Sequence, residues 1–84
     1  MTVEVVIYSG AGCHLCEVAK AQIEAQRQRL DLDIRVIEID GDAALETAYR
    51  EQIPVVFVAG RKACKFRVDP ADLERRVRRA QDTA

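Results

Sequence analysis

Cys13, His14 and Cys16 lie in the run 13-CHLC-16, directly after Gly10-Ala11-Gly12 and directly before a helical pattern. Two sulfurs at this spacing have three uses: holding a metal, cross-linking the chain, or exchanging a disulfide. A structural zinc centre needs four tetrahedral ligands; beyond the pair, the candidates are His14 and Cys64, and there is no second C-x-x-C. A cross-link closing so short a loop contributes only roughly 2 kcal/mol in the loop-entropy account. Disulfide exchange needs a thiolate with a second thiol in reach. A C-x-x-C pair opening a helix inside a β-α-β pattern supplies both, which makes redox chemistry the preferred reading, and no metal ligand is assigned.

Unpaired N–H groups and the positive dipole end favour an anion at a helix start, so the Cys13 thiol is expected to ionise below the free value. The consequence is large: at pH 7 a pKa of about 8.5 leaves about 3% thiolate, whereas a pKa of about 6 gives about 90%. Cys16, one turn further on and more enclosed, can then attack a mixed disulfide formed at Cys13. His14 has two readings, an imidazolium that favours the Cys13 thiolate or an exposed side chain of little effect. Cys64 shares a predicted strand face with Phe66 and Val68 and reads as a small buried hydrophobe, with a third redox or regulatory thiol as the alternative.

The elements that must position these residues follow from periodicity. Val3-Glu4-Val5-Val6-Ile7-Tyr8 is β-branched and reads as a buried strand, broken by Gly10 and Gly12. Leu15, Val18, Ala19 and Ile23 fall at helical spacing, with Glu17, Lys20, Glu24 and Arg27 on the opposite face, and Leu30-Asp31 ends the helix. A second strand spans Asp33 to Ile39. Asp40-Gly41-Asp42 supplies a turn and a cap at Asp42 for a short helix to about Arg50, with Leu45 and Tyr49 on one face. Val55 to Val58 is apolar on both faces and reads as a central strand. Ala59-Gly60-Arg61 turns the chain into a fourth strand, Lys62 to Val68, with Lys62, Cys64, Phe66 and Val68 on one face and Ala63, Lys65 and Arg67 on the other. Asp69-Pro70 opens a last helix with Leu73, Val77 and Ala80 as its buried stripe. The first β-α-β unit requires a right-handed crossover and a parallel pair. The expected fold is therefore α/β, a four-stranded mixed sheet in the order βαβαββα with helices on both faces. Residues 1–80 form the domain and 81–84 a frayed tail.

Composition narrows the function classes. Eighty-four residues suffice for one domain with a modest core, and 49% apolar residues argue against disorder. A net charge of −1 gives no drive toward nucleic acid. The balance hides an asymmetry: residues 1–59 carry 5 basic and 10 acidic side chains, residues 60–79 carry 8 and 3. The basic segment reads either as a solvated hairpin and helix face or as a docking surface for an acidic partner. Three cysteines are too few for a secreted disulfide scaffold, and MTVEVVIYSG lacks the basic start of a signal peptide. The longest apolar run, Ile53 to Ala59, is far shorter than the roughly 20 residues of a membrane helix, so no membrane partner is expected. A monomer in a reducing cytoplasm is the expectation.

The SGAGCHLCEVAK helix start, the later Gln52-Ile53-Pro54-Val55-Val56 and the hairpin-plus-helix ending resemble the thioredoxin superfamily. The size is similar to its glutaredoxin branch, and CHLCE to a group of small glutaredoxin-like proteins. The resemblance implies the thioredoxin/glutaredoxin-like three-layer fold, with Cys13 as nucleophile, Cys16 as resolving thiol and Pro54 as the cis-proline beside the pair. It also implies that the Ile53 backbone pairs with an extended substrate or glutathione. The chain departs from glutaredoxins in having His14-Leu15 between the cysteines, no Lys shortly before Cys13, and Phe66-Arg67-Val68-Asp69-Pro70 where a Gly-Gly then Asp signature would stand. Glutathione is thus a candidate reductant without a full binding signature, and no bound cofactor is expected. The expected activity is disulfide reduction or electron carriage on a protein or small-molecule disulfide, reset by glutathione or a reductase. The alternative is a metal-binding or redox-inactive adaptor domain of the same fold docking an acidic partner.

Overall fold

A computed structural model describes residues 2–82. Seven elements follow in order: β1 (Val3–Ser9), α1 (His14–Gln26), β2 (Leu32–Glu38), α2 (Ala43–Tyr49), β3 (Val55–Val58), β4 (Arg61–Lys65) and α3 (Pro70–Asp82). The strands form one sheet in the order β2-β1-β3-β4. β1 pairs parallel with β2, as the helical crossover requires, and antiparallel with β3; β3 and β4 form the hairpin. The expected mixed sheet is therefore present, with β1 and β3 inside it.

Strand alternation gives the sheet two unlike faces. Val5 and Ile7 of β1 share theirs with Val56 and Val58 of β3. These side chains join Ala19 and Ile23 of α1 and Leu73 and Val77 of α3 in the main core. Each fully buried Ile, such as Ile7 or Ile23, contributes about 1.5–3 kcal/mol relative to leaving it in water. On the other face Tyr8 stacks on Tyr49 of α2 at 4.6 Å between ring centroids, and Phe57 meets both rings edge-on. α1 and α3 thus cover one side and α2 the other, giving three layers.

The helix caps are those the sequence predicts. The Asp42 carboxylate accepts from the Leu45 amide at 3.1 Å, and the Asp69 carboxylate accepts from the Ala71 amide at 3.0 Å. Four local expectations are corrected. Val18 lies 40% exposed, because Cys16, Ala19 and Ile23 form the buried stripe of α1 instead. α1 ends at Gln26, and a tight turn then carries the chain to Leu30, which is buried and bonds back to the Gln26 carbonyl at 2.8 Å. β4 stops at Lys65 and does not alternate strictly. Val56 pairs with Cys64 and Phe57 with Lys62, so Ala63 is an extra residue in a bulge, and both Ala63 and Cys64 pack against the core. At the other end α3 continues through Asp82, past the expected fraying point at Gln81, and residues 83–84 lie outside those described.

Candidate active site

The site is assembled where β1 ends. Because β1 and β3 run antiparallel with Tyr8 opposite Val55, the chain leaving β1 passes the chain entering β3. Gly10, just past the end of β1, therefore lies beside Ile53, and the Ile53–Pro54 peptide bond is cis. A Cβ added to Gly10 would lie 2.7 Å from Ile53 Cδ1, 3.4 Å from Arg50 Nη1 and 3.6 Å from Asp40 Oδ2. Gly10 is buried beneath those three side chains, so only a residue without a side chain fits without displacing one of them.

Cys13 is the N-cap of α1. Its backbone is extended, with φ −91° and ψ 104°, and its sulfur accepts a hydrogen bond from the Cys16 amide at 3.1 Å. The thiol sulfur thus takes the place that a Ser or Asp oxygen fills in an ordinary cap. Cys13 and Cys16 are joined by a disulfide, with their Cα atoms 5.2 Å apart. Cys16 is fully buried, whereas Cys13 is partly exposed and lines an open cleft of about 550 Å³ with His14, Glu17, Lys20, Glu38 and Asp40. His14 is exposed on the rim, and Lys20 pairs with Glu17 one turn along the helix.

Two residues that sequence reading treated as turn and helix end prove to belong here. The main chain of Ile39 donates to the Ser9 carbonyl at 2.9 Å, and one step on the Asp40 carboxylate accepts from the Ala11 amide at 2.7 Å. Asp40 so extends the β1–β2 ladder past its end with a side-chain rung. Its other oxygen accepts from Arg50 at 2.6 Å, and Arg50 also donates to Glu46 at 2.8 Å. Glu46 in turn accepts from the Gly41 amide at 3.1 Å. Arg50 holds the Asp40 and Glu46 carboxyls below the usual carboxylate range, chiefly by hydrogen bonding, and the pair raises Arg50 in return. The one sequence signal was an acidic residue and an Arg ten positions apart, which is too far for a local helical pair.

Cys64 is separate from the pair. It is half-buried against the core, and burial pushes its thiol above the ordinary value, with a smaller push from Asp72. Among the described residues no group of three or more His, Cys, Asp or Glu is placed to hold a metal ion. Part of the C-terminal positive charge is compensated locally. Arg75 and Arg76 bond Asp72, while Arg29 and Arg78 bond Glu74, and these contacts lower both carboxyls, Arg76 and Arg78 acting most strongly. Beyond the pair, Leu15, Val18 and Phe66 border a hollow of about 100 Å³ on α1, with Phe66 41% exposed. Phe66 is held at φ 68° while its amide donates to the Pro54 carbonyl at 2.9 Å. No helix among the described residues is long and apolar enough to cross a membrane.

Comparison with known proteins agrees with this architecture. Residues 4–78 match the Glutaredoxin-like domain (DUF836) family. Protein Ne2328 from Nitrosomonas europaea has a similar solution structure, with a TM-score of 0.77 and 27% identity over 89% of this chain and 91% of that one. The X. campestris protein XcR50 is 32% identical over 95% of this chain and 97% of its own, with a TM-score of 0.69. Thioredoxin 1 from Thermosipho africanus shares the fold at a TM-score of 0.64 and 16% identity, covering 99% of this chain and 97% of that one. No curated protein sequence matches the chain. A first helix capped by Cys13 with Cys16 in its first turn, a mixed four-stranded sheet and a family match over nearly the whole chain lead to one conclusion: this is a glutaredoxin-like protein of the thioredoxin superfamily.

Proposed function

We propose that the protein is a thiol–disulfide oxidoreductase or electron carrier working through Cys13 and Cys16. In the reduced protein the Cys13 thiolate attacks one sulfur of a substrate disulfide. A bond forms between Cys13 and that sulfur, and the other substrate sulfur leaves as a thiolate and takes a proton. Cys16 then loses its proton and attacks Cys13 Sγ, expelling the second substrate thiolate. The substrate gains two electrons and two protons, and the protein is left with the Cys13–Cys16 disulfide. Two molecules of glutathione, or a flavin reductase, return the electrons. The Ile53 backbone ahead of Pro54 would align an extended substrate, and His14, on the cleft rim, would favour the thiolate electrostatically. A reducing cytoplasm fits the composition.

The observation that carries this reading is the amide of Cys16 directed at Cys13 Sγ at the opening of α1. That hydrogen bond and the helix dipole favour negative charge on one sulfur, while Cys16 stays enclosed until Cys13 is engaged. The test is disulfide reduction followed in two variants. Cys13→Ser should lose turnover, and Cys16→Ser should accumulate a mixed disulfide at Cys13. Turnover that survives Cys13→Ser rules the mechanism out.

A further inference from the structure

We propose that Asp40 is a positioning residue for Cys13, acting through the Ala11 amide and locked by Arg50. The inference rests on the redox reading of the pair and adds the part that holds it in place. The loop between β1 and Cys13 contains two glycines in three residues, and Gly12 sits at φ +72°. Such a segment is soft on its own, because glycine restricts the backbone least. Yet the bond from the Cys16 amide to Cys13 Sγ needs the sulfur at one place over the helix end, and a displacement of about 1 Å weakens it sharply. The tether at the loop's midpoint is the Ala11–Asp40 bond of 2.7 Å.

Asp40 is itself restrained. It follows Ile39, whose side chain is fully buried and whose amide bonds the Ser9 carbonyl. Arg50, anchored to Glu46 at the end of α2, grips the second carboxylate oxygen. The same Arg50 and the Ile53 side chain crowd Gly10. α2 thereby fixes a loop on which it has no catalytic group. The arginine has a second effect. Asp40 lines the cleft of Cys13, and a bare carboxylate there would oppose a thiolate; the guanidinium compensates that charge.

The experiment separates the hydrogen bond from the charge. In a Cys16→Ala/Cys64→Ser background, Cys13 is the one thiol, and its alkylation by iodoacetamide is followed against pH. Asp40→Ala should raise the pH midpoint and slow alkylation at pH 7 by about five- to ten-fold, as expected for a pKa moved part of the way toward the free thiol value. Asp40→Asn, which keeps an acceptor for Ala11 but turns an NH2 toward Arg50, should shift the midpoint clearly less than Asp40→Ala, and no further than loss of the Arg50 contact does. Arg50→Gln should shift it in the direction of Asp40→Ala by a smaller amount. Equal midpoints for parent and Asp40→Ala, or equal shifts for Asn and Ala, would overturn the inference. If Asp40→Ala does not fold, Arg50→Gln decides the question, and an unshifted midpoint there counts against it. In the full chain, insulin-disulfide reduction with dithiothreitol tests the redox reading independently. An inactive parent whose Cys13 midpoint still responds to Asp40→Ala would refute the oxidoreductase and leave the positioning role standing.

Discussion

The opening of α1 and the edge strand β4 each carry cysteine, but in opposite settings. At α1 the Cys13 sulfur accepts a backbone amide and faces an open cleft. On β4 the Cys64 sulfur packs against the core, and its thiol is raised by burial. Residue type is the same, so the difference lies in what the backbone offers: an unpaired amide and a dipole in one place, low polarity in the other. The third cysteine is therefore an internal control for the first.

The largest effect expected from this contrast is on turnover. Cys13→Ser should abolish disulfide reduction, whereas Cys64→Ser should leave kcat/KM within about two-fold, as befits a group outside the cleft. A coupled assay of both variants checks this, and comparable losses would erase the distinction. Next in size is reactivity. With the pair reduced, iodoacetamide at pH 7.5 should label Cys13 at least about ten-fold faster than Cys64, because the thiolate and not the thiol reacts; peptide mass analysis of timed aliquots reads the ratio.

A smaller effect concerns the loop. Gly10→Ala should cost no more than about 1 kcal/mol in a denaturant titration, since the new Cβ would stand 2.7 Å from Ile53 Cδ1, the free end of a flexible side chain that can swing aside. It should also slow Cys13 relative to Cys64. A stability loss with an unchanged ratio would show that loop packing does not reach the sulfur.

The smallest effects are in pH dependence, where the two regions differ in sign. Burial raises Cys64, so its contribution to stability is complete below the ordinary thiol pKa and is lost as pH rises through its folded value. Cys64→Ala should flatten the alkaline fall in Tm. Arginine partners lower Asp40 and Glu46, so their contribution is present above the ordinary carboxylate range and is lost as pH falls through their folded values. Thermal scans from pH 5 down to pH 2 should show a decline that is shallower in Arg50→Gln. Because these groups are exposed, the difference should shrink in high salt.

Much of this organisation was legible beforehand. The order of elements follows from apolar spacing of two or three-to-four residues, and the caps at Asp42 and Asp69 follow from short polar residues ahead of those runs. The Cys13–Cys16 pair announced its position because its spacing and the glycines before it are local features. Val18 misled because it satisfies the helical period as well as Cys16 does, and only the packing of α1 on the sheet chooses which side faces inward. β4 misled because its bulge at Ala63 depends on the partner strand, and the turn at Phe66 on the Pro54 carbonyl. Neither partner lies within the segment itself.

The sequence by itself determined the kinds of element, their order, and the placing of two sulfurs one turn apart at a helix start, since each depends on neighbours a few residues away. Tertiary structure alone decided that Asp40 would reach Ala11, 29 positions earlier, and that Arg50 would bind Asp40 from the end of another helix. The physical reason is the crossover: the helix between β1 and β2 returns the chain parallel to its start, so contacts at the strand ends join residues that no local period relates.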